Sequence, residues 1–280
     1  MSKIISNGIV FLVLFSAQVV FGAEEIPALG EQDMSSVTDD QGVTHNWGYI
    51  WTHIFDYGAD DGEGFNFGYD ADGSTHGVTY SQQDKDGKGI TFTFSRSEDI
   101  ELRGHTTRPD IASWSTAGDV NIDMYRHDAE LGWHEPCLED KFSGFSVYYG
   151  VKFAEINKDF HLDNRPLMKQ KTWYLGPYIA IGGNHPLGSD ESKLSMFWTG
   201  QFSILYIEKG LGSDNTWAGV PGMEPDTGNV YGIGGNATVG LSYGFFDNAW
   251  IRGGYRGQAL NGSDFEDSYQ AWIAQAVFRF

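Results

Sequence analysis

The sequence predicts an all-β protein, an antiparallel transmembrane β-barrel of about ten strands with twelve as the alternative, on three observations. The chain opens with an export signal, most of its length alternates between apolar and polar residues, and its last ten residues, AWIAQAVFRF, end on an aromatic side chain inside such an alternation. Successive side chains of a strand point to opposite faces. Trp272, Ala274, Ala276, Phe278 and Phe280 therefore share one face, and Ile273, Gln275, Val277 and Arg279 share the other. An oily strand edge in water invites aggregation, whereas a closed barrel in lipid has no edge. A soluble sandwich would show the same alternation. The export signal and the terminal aromatic residues favour the barrel, with Phe278 and Phe280 as the signal that barrel-assembly machinery would read.

The elements follow in order. Residues 1–23 carry Lys3, an apolar run from Ile9 to Phe21 and the small residues Gly22 and Ala23, the pattern of a cleaved secretory peptide. No later segment reaches the ~18 apolar residues of a spanning helix. Residues 24–46 are acidic and aperiodic and read as a flexible lead-in, so the barrel domain is expected over 47–280. Its runs include Trp47 to Tyr57, Phe65 to Tyr69, Ile90 to Phe94, Phe145 to Phe153, Trp173 to Ile181 and Leu194 to Tyr206. Asp119 to Trp133 changes parity near Tyr125 and reads as bulged or bent. From Val230 to Tyr243 an apolar face of Tyr231, Ile233, Ala237, Val239, Leu241 and Tyr243 opposes a face of small and polar residues. After the Asp247-Asn248 turn, Trp250, Arg252, Gly254 and Arg256 share a face that cannot meet lipid. The tally is about eleven runs, and a bacterial barrel should have an even number. Counting back from an inward-running last strand places Ser97 to Thr116, Asn157 to Gln170, Lys209 to Thr227 and Gln258 to Ser268 in external loops.

Composition excludes some functions. Lys+Arg 18 against Asp+Glu 38 gives a net charge of -20, and removing Lys3 with the signal leaves 17 against 38, or -21. Such an excess cannot neutralise a run of phosphates, so nucleic acid is not an expected partner. Cys137 is the one cysteine, so no internal disulfide frames the fold. Glycine, 37 of 280, exceeds the roughly 7% average and is spread among the alternating segments, as in barrels.

From Asp119 onward the order of segments resembles the Legionella-type pore-forming major outer-membrane protein family. The resemblance is carried by DAELGW (Asp128 to Trp133), YYGVKFAEI (Tyr148 to Ile156), LGPYIAIGG (Leu175 to Gly183), FSILYIEKG (Phe202 to Gly210), VGLSYGF (Val239 to Phe245), IRGGYR (Ile251 to Arg256) and the terminal strand. It covers residues 119–280 and implies an outer-membrane barrel with a pore-forming or structural role. With one cysteine, the chain departs from members whose surface lattice is disulfide-linked.

Parity assigns Lys152, Arg252, Arg256, Arg279, Asp128, Glu130, Asn236, Thr238 and Gln275 to the lumen. Rings of such charge set ion or solute preference in a water-filled pore, and in a narrow barrel they pair and fill it. The expected mechanism is passive diffusion of small solutes or ions; the alternative is a closed structural or adhesion barrel acting through its loops. Asp84-Asp86-Gly87 and Asp70-Asp72-Gly73 contain a fragment of a calcium loop without its terminal Glu, and acidic hairpin turns explain them equally. An outer-membrane lipid-modifying enzyme is a further alternative, on eight His including His53, His76, His105, His127, His161 and His185, but no G-x-S-x-G or metal-spaced motif marks a catalytic residue. No cofactor or metal is expected. Acidic loops such as Ser213 to Thr227, with Asp214, Glu224 and Asp226, could bridge through divalent cations to lipopolysaccharide. Localisation in the cell outer membrane, among its lipids, follows from the export signal.

Overall fold

Ten antiparallel strands close into one barrel in the computed structural model, which describes residues 42–60, 66–105, 119–137, 145–162, 165–188, 193–211, 228–262 and 265–280. The strands are β1 (Thr44–Asp60), β2 (Asn66–Gln83), β3 (Gly89–His105), β4 (Asp119–Pro136), β5 (Phe145–Leu162), β6 (Arg165–Pro186), β7 (Leu194–Leu211), β8 (Gly228–Phe246), β9 (Ala249–Gly262) and β10 (Phe265–Arg279). Each pairs with its sequence neighbours, and β1 pairs with β10 from Asn46↔Arg279 to Asp60↔Glu266. The ladder continues past the strand ends, where His45 and Phe280 exchange two backbone hydrogen bonds of 3.1 and 2.9 Å. The barrel thus has a turn end, with Thr44 and Phe280, and a loop end with the two longest connections, after β3 and after β7. The export signal, most of the acidic lead-in and the Ser213 to Thr227 segment lie outside the described residues.

Near the turn end the pleat puts apolar side chains outside. Ile179, Ile204 and Ile233 are each 55% exposed, within an outward band of some thirty large hydrophobic residues. On β7 the band runs from Met196 to Tyr206, roughly 24 Å of height at ~3.3 Å per residue and ~45° tilt, which is the thickness of a bilayer-facing band. Aromatic pairs rim it on both sides. Trp47 with Tyr80 (4.9 Å between ring centres) and Phe145 with Trp198 (5.5 Å) lie toward the turns, and Trp173 with Tyr206 (5.5 Å) and Phe55 with Trp272 (5.6 Å) lie toward the loops.

Beyond that upper rim the polarity inverts. Outward positions become charged, as at Asp99, Glu101, Arg103, Asp123, Asp159 and Lys169, while inward positions become Ile54, Ile100, Leu102, Ile122, Met124 and Ile207, all 2% exposed or less. This inversion corrects three sequence expectations. Ser97 to His105, Asn157 to Leu162, Arg165 to Gln170, Lys209 to Leu211, and much of Gln258 to Ser268 are strand, not loop; among them Ile100, Leu102 and Phe160 are buried together with Ser97, Lys158, Lys209, Gln258 and Asp267, while Glu101 and Arg103 are exposed. β4 keeps one parity and an unbroken register with β5 through Tyr125, so the apparent change of parity is a change of environment; the irregularity belongs to β3, between Arg96 and Ile100. Asp70 to Gly73 is strand rather than turn, beside the irregularity in β2. The barrel also begins at Thr44 and not Trp47, and its ten strands include the first run, against a tally of about eleven.

Inward glycines let aromatic rings lie flat on the wall. Tyr178 on β6 is paired with Gly150 on β5, which is paired with Gly132 on β4, and a Cβ on Gly132 would stand 2.2 Å from the Tyr178 hydroxyl oxygen. Phe197 repeats the arrangement over Gly240 on β8 and Gly254 on β9. A Cβ on Gly240 would meet Gly253 O at 2.3 Å and Phe197 Cε1 at 2.7 Å, whereas one on Gly235 meets nothing closer than Gln201 O at 3.6 Å. Gly240→Val is therefore expected to lower the unfolding free energy by about 1–3 kcal/mol in urea titrations of vesicle-embedded protein, while Gly235→Ala leaves it unchanged or slightly raised.

Candidate functional site

The interior has a wet half and a dry half. In the wet half, toward the turn end, parity places Gln275, Arg252, Arg256, Arg279, Thr238, Asn236, Lys152, Asp128 and Glu130 inside the barrel. Most are engaged with the strand beside them. Arg256 Nε donates to Thr238 Oγ1 (3.2 Å), Arg279 Nε donates to Asn46 Oδ1 (3.3 Å), and the Asn236 amide donates to Gln201. Lys152 Nζ stands 3.7 Å from Glu130 Oε1 and reaches Gln201 and Gln258 across the lumen at 3.5 and 3.4 Å. Asp128 and Glu130 retain 23% and 30% side-chain exposure. Solvent thus reaches this level, and the layer above shows from which side.

Above it the interior is sealed. A core cluster that includes Ile54, Ile100, Met124, Ile156, Leu205 and Leu260 draws on nine of the ten strands. The remaining strand, β8, contributes Val230 and the glycines 232 and 234, where a Cβ would press on Ile207 Cδ1 (2.8 Å) and Leu260 Cδ2 (2.5 Å). Side chains filling a narrow barrel form a packed core and not a passage.

Arg126 sits at the junction, fully buried. Its Nε and Nη2 bind the two oxygens of Asp128 at 2.7 and 2.9 Å, Nη2 also donates to Tyr174 Oη at 2.7 Å, and the guanidinium carbon lies 4.9 Å from the centre of the Tyr269 ring. Nη1 faces the buried carboxylate of Asp267 at 3.7 Å. The β3 irregularity fixes its position: Ser97 Oγ accepts from the Arg126 backbone N–H at 2.6 Å and donates to its carbonyl at 3.4 Å, standing in for missing ladder bonds. A buried cation holding the partly exposed carboxylate of Asp128 and the buried one of Asp267 is stable only while its partners are present, because an unpaired buried charge is far more costly than the pair.

Sequence reasoning assigned Asp128 to the lumen but missed Arg126, Tyr174, Asp267 and Gln258. Asp267 and Gln258 lay in a presumed loop, and Arg126 beside a presumed bend. The retained signal was Arg126 and Asp128 two apart, hence on one face of a strand.

Two other candidate chemistries are placed by the structure. Asp84 closes the β2–β3 hairpin, its Oδ1 accepting from the backbone N–H groups of Asp86 and Lys88 at 2.9 Å each, with Gly87 at φ 75°. Its carboxylate therefore serves the turn. His53 and Ser74 face each other across β1 and β2 on the outer surface, with His53 Nδ1 and Ser74 Oγ 3.5 Å apart. His53 also stacks on Trp51 at 5.8 Å, and no carboxylate among the described residues orients its ring, as a nucleophile's base requires.

No family model matches the chain, and no curated protein matches it. Among solved structures it is similar to the outer membrane protease OmpT from Escherichia coli (9% identity, TM-score 0.45, covering 89% of this chain and 99% of that one). It is also similar to the β-domain of the Bordetella autotransporter BrkA (8%, TM-score 0.42, 85% and 100%) and to Ail of Yersinia pestis (11%, TM-score 0.36, 86% and 99%). At such identities no side chain of the interior carries over from them.

Arg126→Met is expected to lower the unfolding free energy by about 3–5 kcal/mol in urea titrations, since Asp267 remains buried, and Asp128 partly exposed, without their cation. Adding Asp267→Asn to that variant should recover part of the loss.

Proposed function

We propose that the protein is an outer-membrane β-barrel, closed across its interior, that acts through its external half as a structural or adhesion barrel. The apolar outer band and its two aromatic rims support placement in a bilayer, with the turn end in the periplasm. Lipid and lipopolysaccharide would then surround the band, and the barrel-assembly machinery would insert it, with Phe278 and Phe280 at the closing strand. The resemblance to the Legionella-type family supports the same placement, and of the two roles that family implies we propose the structural one.

The observation that carries this reading is the sealed layer. A diffusion pore needs a continuous polar path. Above Arg126, Tyr174 and Gln258 the inward side chains of the described strands are chiefly apolar and packed against one another, with Lys158, Thr172, Lys209 and Asp267 buried among them. Strands that continue past the membrane band instead raise a rigid charged collar outside the cell. Its carboxylates crowd: partial burial, then Asp123 and Glu101, push the Asp99 carboxyl above its ordinary range.

Two measurements test the proposal. Cell fractionation should place the protein in the outer membrane with heat-modifiable gel migration, and recovery in a soluble fraction without detergent would refute the barrel's placement. Refolded protein in planar bilayers should give no steady conductance, whereas regular open-channel steps would restore the diffusion pore.

A further inference from the structure

We infer that the outer face of β2, β3 and β4 holds the phosphate of a lipid in the external leaflet, with Arg96 as its main ligand and His76 and His127 on either side. The inference deepens the membrane placement proposed above and rests on it.

Three basic side chains stand in one register row. His76 on β2 is paired with Arg96 on β3, and Arg96 with His127 on β4. Their chain neighbours Thr75, Gly77, Ser97 and Arg126 are buried, so all three point away from the lumen, and His76 and Arg96 are exposed. Two residues nearer the turn end, the same face carries Val78, Phe94 and Ala129. The apolar band is short here: three outward positions on β3, Ile90, Phe92 and Phe94, against six on β7 from Met196 to Tyr206. A guanidinium so close to acyl chains is costly unless it meets polar partners at the headgroup level.

The other outward cations of this side of the barrel are already paired. Arg103 binds Glu101 at 2.8 Å, Lys169 binds Asp159 at 3.1 Å and Lys171 binds Glu155 at 3.0 Å. Arg96 has neither an ion pair nor a hydrogen bond among the described residues, Asp99 beyond the β3 irregularity included. Glu155, which faces His127 across β4 and β5, is held by Lys171 and by Asn157 Nδ2 at 3.0 Å. The Tyr49 hydroxyl is hydrogen-bonded to His76 Nδ1, which steadies that ring and leaves Nε2 for a second partner.

The planar fork of five N–H donors on Arg96 matches phosphate oxygens bidentately. Acyl chains of the same molecule would lie on Val78, Phe92 and Phe94, which are 42%, 40% and 39% exposed. A free anion gains nothing from that apolar surface. A second copy on a two-fold axis through the row would set Arg96 against Arg96. A phosphorylated lipid satisfies both the donors and the surface below them.

The test is native mass spectrometry of the full chain refolded in detergent micelles, titrated with lipid A or with a phosphate-free glycolipid of similar acyl length. One lipid A is expected to stay on each barrel, and the phosphate-free lipid to dissociate. Arg96→Gln, which removes no contact within the barrel, should weaken retention at least tenfold, and Arg96→Lys less. Arg103→Gln should leave it unchanged. Equal retention of both lipids, equal retention by Arg96→Gln, displacement by millimolar inorganic phosphate, or a lipid-free dimer lost on Arg96→Gln would each overturn the site. If the protein fractionates with the outer membrane and migrates heat-modifiably, any of these results refutes the lipid site alone; recovery in a soluble fraction would instead refute the placement beneath it.

Discussion

Closure of β1 on β10 is the constraint on which everything else in this barrel depends. A strand that faces lipid can leave no backbone amide unpaired, and an open sheet of ten strands would expose a row of them on each edge. The β1–β10 ladder removes both edges along nearly the whole length of the two strands. Once the sheet is closed, the pleat allows each residue only two environments, outside or lumen. The rest of the structure is a matter of what those two environments are at each height.

They exchange character half-way up. Below the upper aromatic rim, oily side chains face out and a small, polar, partly charged wall faces in. Above it, charged side chains face out and a packed, chiefly apolar core faces in, with Lys158, Lys209 and Asp267 buried in it. Arg126 marks the change, where a cation with Asp128 on its wet side and Asp267 on its dry side joins the polar wall to the core. The same inversion divides one sheet into two parts: a lower half whose inner wall carries polar side chains and arginines, and an upper half packed inside and charged outside.

The lower half was legible in the sequence, because outward apolar and inward polar residues alternate there as lipid demands. Trp272 to Phe280, Tyr231 to Tyr243 and Phe145 to Phe153 all show their faces correctly, and Arg252, Arg256 and Lys152 fall inside by parity alone. The upper half was misread for a physical reason. Alternation says which residues share a face but not which face is wet. At Ile122 and Met124 an inward apolar stripe therefore looked like a slip in the outward one. Segments such as Ser97 to His105, with Asp99, Glu101 and Arg103 between their apolar residues, looked like loops. The buried Arg126 cluster was hidden for the same reason, since its partners come from strands far apart in sequence and the β3 irregularity that positions it leaves no compositional mark.

The most direct test of the wet and dry halves is labelling of single cysteines with a charged, membrane-impermeant maleimide, in a Cys137→Ser background, with the protein in vesicles open to reagent on both sides. Thr199→Cys and Gln275→Cys, on the inner wall of the lower half, should react readily; Leu205→Cys, in the sealed layer two inward positions above Gln201, should resist until the barrel is unfolded. Equal labelling of all three in the folded protein would mean that water runs through the barrel and would contradict the account.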